Sequence, residues 1–146
     1  MFSSLRPGFL VAVAAMLVAC NETTFIDVSD KLGYRELVGT TYTVVGPLVA
    51  YGIRKHTEAT AEYVTLIPAP GIAGSEVGFS TPIAIGTQMR VIRVYETNRL
   101  IDSSTSLEVR LSGNFVFGNL PVRLDLMRGN QGLSKLTLNP AVFRKN

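Results

Sequence analysis

Tryptophan is absent from this chain, cysteine and histidine occur once each, and charged residues make up only 17% of it. A lone cysteine, Cys20, excludes an internal disulfide and any Cys-x-x-Cys or Cys/His metal box. A lone histidine, His56, leaves one place through which a Ser-His-Asp or Cys-His arrangement could run. The Walker pattern and GxGxxG are missing, and the glycines Gly71, Gly74 and Gly78 lie in a turn-rich stretch that opens no helix, so no phosphate cradle is implied. No apolar run reaches the roughly 18 residues that a membrane-crossing helix needs.

The hydrophobic fraction is 47%, enough for a folded core rather than disorder, and 146 residues fit one domain. Thirteen glycines and seven prolines are spread along the chain and favour many turns over long helices.

The one long apolar run is Phe9 to Ala19, 11 residues without a charge, behind a short segment whose side-chain cation is Arg6. As a helix it would span about 16 Å, half of the roughly 30 Å of a bilayer core, so it matches the apolar region of a secretory signal. It ends in Leu17-Val18-Ala19-Cys20. That tetrapeptide resembles the lipobox of bacterial lipoproteins. The resemblance implies that residues 1–19 are a signal peptide, that cleavage falls before Cys20, and that the Cys20 thiol carries a diacylglyceryl group. Two or more acyl chains hold a protein at a membrane where one does not. Ala12-Val13-Ala14 offers an ordinary cleavage site instead, and a buried helix with an inert cysteine is the other alternative. Asn21 is not the aspartate that retains enteric-type lipoproteins in the inner membrane, so the expected address is the periplasmic face of the outer membrane.

With Arg6 removed alongside the signal, thirteen bases face eleven acids, a net +2, too weak to argue for nucleic acid. The charge is uneven: residues 21–62 carry four bases and six acids, residues 63–146 nine bases and five acids. A mildly basic second half could face anionic lipid or cell-wall polymer, or be an ordinary solvated surface.

Residues 20–31 read as a lipidated tether, although Phe25, Ile26 and Val28 would also serve as a first strand. Residues 32–146 read as a single all-β domain, a small antiparallel barrel or sandwich. Strands are expected at 41–45, 48–53, 63–67, 76–79 and from Met89 to Tyr95. Leu107, Val109 and Leu111 alternate with Glu108, Arg110 and Ser112, and Val122, Leu124 and Leu126 alternate likewise, each a strand with one wet face. Leu136 and Leu138 suggest one more. Lys55 to Glu62 is the one place for a short helix. The Pro/Gly loop at 68–74 followed by Ile85-Gly86-Thr87-Gln88-Met89-Arg90-Val91-Ile92-Arg93-Val94 resembles the turn-and-strand pattern of SH3-like barrels, over residues 64–111 at most.

For chemistry, His56 with Glu58 and Glu62 could ligate zinc if that stretch were helical; an exposed histidine is the plainer reading. No acid pair is marked for glycoside cleavage. Two features suit binding instead. The Pro68–Gly74 loop, with Pro70 and Ile72, is apolar and stiffened by proline, which lowers the cost of ordering on docking. Phe115 and Phe117 sit between turn residues and would form an apolar contact site if exposed, or face the core if strand-like. Tyr42, Tyr51, Tyr63 and Tyr95 could stack on sugars. The expectation is a membrane-anchored, non-catalytic module that binds an envelope protein, without a cofactor and with no small-molecule substrate in evidence. A cell-wall (peptidoglycan) binding module is the alternative, and a small hydrolase ranks last.

Overall fold

The computed structural model describes residues 24–97, 104–113, 115, 117–127 and 129–146. They are all-β, without an α-helix, and form one sheet of nine strands. The strands are β1 (Phe25–Asp27), β2 (Thr41–Val44), β3 (Leu48–Ile53), β4 (Tyr63–Pro68), β5 (Val77–Ile83), β6 (Gln88–Thr97), β7 (Thr105–Leu111), β8 (Val122–Asp125) and β9 (Phe143–Lys145). Their order across the sheet is β5-β3-β4-β8-β7-β6-β2-β9, with β1 beside the far end of β6.

Chain connectivity forces this sheet to curl. Strands β2 and β3 are five positions apart, about 24 Å in a flat sheet at roughly 4.8 Å per strand. Yet only residues 45–47 join them, a reach of at most about 14 Å. Strands β5 and β6 are also five positions apart and are joined by residues 84–87 alone. Both constraints are met only by a strongly curved half-barrel. At the β2–β3 corner the Val45 and Gly46 amides donate to the Val142 carbonyl at 2.7 and 3.3 Å. A Cβ on Gly46 would collide with the Ala141 carbonyl, so only glycine lets the two turns approach this closely.

The concave side holds the core, where Val44, Val64, Leu66, Met89, Val91, Val94, Leu107 and Leu124 are almost wholly withdrawn from water. Alternation delivers these residues, with one interruption. In β6, Met89 and Val91 point inward, but the pairing with β7 skips Ile92, and Val94 rather than Arg93 is the next residue inside. This bulge leaves Arg90 and Arg93 both on the outside despite their odd spacing.

The first of the two readings of residues 25–28 does not hold: Phe25–Asp27 pairs with β6, and Val28 is buried. The expected tether therefore does not run to residue 31, since the chain from Phe25 on belongs to the folded sheet. Lys31 and Tyr34 both reach Glu96 of β6, the lysine at 3.6 Å and the tyrosine by a short hydrogen bond from its hydroxyl, which pins the turns of 29–39 to the sheet.

Other expectations are corrected too. The pair β4–β8 is parallel, with Val64 opposite Val122, in a sheet expected to be wholly antiparallel. Asn130 clasps that pair, its buried amide nitrogen donating to the Leu66 and Asp125 carbonyls, each at 2.9 Å. The 55–62 stretch is a hairpin loop, not a helix: the Glu62 amide donates to the Ile53 carbonyl across the loop, and Lys55 meets Glu62 at 3.5 Å. In place of the strand expected at Leu136 and Leu138 there is one isolated bridge, Gln131 to Leu138.

Candidate functional site

The convex face of β6, β7 and β8 gathers the arginines. Register places Arg90 opposite Arg110, Arg93 opposite Glu108, and Glu108 opposite Arg123. Partners across a ladder share a face, so these four cations and one carboxylate lie on the same side of the sheet. Glu108 is already engaged, its Oε2 accepting from the Tyr95 hydroxyl at 2.9 Å. The Arg93 guanidinium is held still more firmly protonated by a hydrogen bond with Tyr95, with Glu108 and Asp27 adding to the effect.

Arg123 is packed among rings, and among the described residues it belongs to no ion pair. Its guanidinium carbon lies 4.2 Å from the centre of the Phe25 ring, 5.0 Å from Tyr63 and 5.8 Å from Tyr95. Each ring face attracts the cation through its quadrupole. The arrangement exists because β1 folds back onto β6, which brings Phe25 edge-on to Tyr95 at 6.3 Å. Tyr63 and Tyr95, candidates for stacking on sugars, serve here as walls for an arginine.

Beside this cluster runs a groove. A cavity of about 420 Å³ lies between the outer side of β6–β7 and the 112–121 connection, lined among others by Ile92, Arg110, Phe115, Phe117 and Leu120. A second, of about 320 Å³, is lined by Val38, Gly39, Arg90, Val91, Ile92 and Arg110. Both are lined by Ile92 and Arg110. The bulge that pushes Ile92 out of register thus supplies an apolar wall common to both.

The predicted contact residues divide. Phe117 is buried in the core, the second of the two readings given for it, and it also lines the groove. Phe115 is half-buried and stacks on it at 5.4 Å, while Phe79 stacks on the other side at 6.2 Å. Gly52 makes room for Phe79, since a Cβ there would run into that ring. Pro70 is exposed and Ile72 half-buried, in a loop that folds over the convex face at Tyr51 and Ile67. This loop has its own cavity of about 380 Å³ and shares no lining residue with the Phe115 groove, so the two expected contact regions are not one surface. His56 is exposed in its hairpin loop, and among the described residues no group of three or more His, Cys, Asp or Glu is placed to hold a metal ion. Cys20 lies outside the described residues.

Sequence reasoning did not single out Arg90, Arg110, Arg123, Ile92 or Leu120. The signal available for the arginines was the basic second half of the chain, but which ones become neighbours depends on a register that a bulge resets.

No protein-family model, curated protein or solved structure matches this chain. The geometry of the groove and the lipobox-like tetrapeptide are therefore what a functional reading rests on.

Proposed function

We propose that this protein is a lipid-anchored, non-catalytic binding module of the cell envelope, held by Cys20 at the periplasmic face of the outer membrane and docking a protein partner in the β6–β7 groove. The observation that carries the docking half is the groove itself. Together its two cavities are of a size to hold side chains of a partner, and they combine an apolar floor with a polar rim. The lipobox resemblance at residues 17–20 carries the anchoring half. Strand β1 begins at Phe25, so five peptide links separate it from Cys20 and limit the span to about 18 Å. A domain tethered this closely works on partners at the membrane surface.

Two experiments test the halves separately. Palmitate labelling should mark the wild type and vanish in Cys20→Ser; equal labelling of both removes the anchor. A photo-cross-linker at Leu120 should give a discrete protein adduct in intact cells, and the same probe at Ser80, on the outermost strand β5, should not. No adduct from Leu120 removes the docking site. The four arginines on one face also favour the cell-wall reading, in which anionic wall polymer is the partner. Co-sedimentation with purified sacculi at low salt decides that case.

A further inference from the structure

Arg90 and Arg110 are directly opposed on adjacent strands, and both are exposed. Like charges so placed destabilise a sheet. Among the described residues the ion pairs are Lys31–Glu96 and Lys55–Glu62, and neither arginine belongs to one. Arg123, on the same face, is surrounded by three rings, whereas Arg90 extends over Gly39 and Arg110 borders the groove. The two cavities share Ile92 and Arg110 as lining residues; Phe115 and Leu120 line one and Val38 the other.

We propose that this groove recognises a carboxylate on the partner, an acidic side chain or a chain terminus. The carboxylate sits between Arg90 and Arg110, and a neighbouring apolar side chain enters the pocket beside Phe115. The proposal rests on the protein-docking reading above and names the chemistry of the partner. The planar arginine fork matches the two oxygens of a carboxylate, and an anion there would also relieve the repulsion between the two cations. The recessed apolar floor favours a peptide segment over a lipid surface, because a flat array of headgroups would meet the arginines but leave Ile92 and Phe115 unfilled.

The probe is N-acetylphenylalanine, which joins a carboxylate to an apolar ring, compared with its uncharged amide. Backbone chemical shifts of the purified full chain in a non-ionic detergent report binding. The acid should move the amides of Arg90, Ile92, Arg110 and Phe115 in a saturable way, and the amide should bind at least tenfold more weakly. Arg110→Gln should weaken the acid about tenfold. Arg54→Gln removes the same charge just past the end of strand β3, four positions from β6 across the sheet, and should leave binding unchanged. Equal binding of acid and amide, or indifference to Arg110→Gln, overturns the proposal. So does flotation with phosphatidylglycerol vesicles that depends on Arg90 and Arg110 while the acid fails to bind, which would assign the patch to anionic lipid. If the acid fails while Leu120 still cross-links a partner, the carboxylate is wrong and the docking reading stands. If both fail, both fall.

Discussion

Arg123 and Arg110 stand on neighbouring strands of the same convex face, and the fold treats them in opposite ways. Around Arg123 it brings three aromatic rings from three other strands, β1, β4 and β6. Arg110 receives another arginine as its cross-strand neighbour. The first cation is an internal fastening that ties the entering strand to the sheet. The second adds nothing to the fold's cohesion, and its place is explained by what it can hold. A count of charges would rate the two arginines alike; their surroundings separate structure from recognition.

The largest expected effect tests the groove's foundation. Phe117→Ala removes the middle ring of the Phe79–Phe117–Phe115 stack and should cost about 3–5 kcal/mol in urea unfolding. Next comes Arg123→Ala, which should cost about 1–2 kcal/mol through lost cation–π contact and packing, while binding of the acid probe persists. Arg110→Gln should have the reverse sign, raising stability by about 0.2–1 kcal/mol, with the gain shrinking as salt screens the pair. If Arg110→Gln destabilises and Arg123→Ala does not, the contrast between the two arginines is broken.

The smallest effect concerns pH. Tyr34 is raised above the ordinary phenol value by its hydrogen bond to Glu96, and Tyr42 is raised by burial. A group whose value is higher folded than unfolded lends stability below the unfolded value, about 10 for tyrosine, and loses it as pH climbs through the folded one. Unfolding free energy should therefore decline above about pH 10, and Tyr34→Phe should flatten part of that decline. Asp27, lowered by hydrogen bonds from Ser29, works at the acidic end: its contribution is present above the usual aspartate value and fades as pH falls through the lowered one.

The strands legible in the sequence were those whose neighbours are local or whose faces alternate cleanly. Thr41–Val44, Leu48–Ile53, Tyr63–Pro68 and Thr105–Leu111 lie where β-branched runs and period-2 patterns placed them. Strand β5 was foreseen only at its start, because Pro82 argues against a ladder; it is tolerated since β5 is an edge. Strand β9 has three residues, Phe143-Arg144-Lys145, too few for any period to show. The parallel β4–β8 pair joins residues far apart in the chain, and nothing local encodes it. For the site, Phe115 and Phe117 were visible as aromatics between turns, but their direction was not. The Arg90–Arg110 pairing depends on the skipped Ile92, which the alternating pattern of β6 conceals.

The two tight corners carry a consequence for how the chain reaches its fold. Strand β3 finds β4 and β5 within a short stretch of chain, so that end of the sheet can assemble early. Strand β2 waits far longer, because its outer partner β9 is the last strand of the nine, and the Thr43 hydroxyl bonds the Asn146 side chain 103 positions away. During folding the β2 edge stays open until the final strand arrives, a bare template for strand pairing between molecules. A chaperone that shields open strand edges would find its most urgent work there.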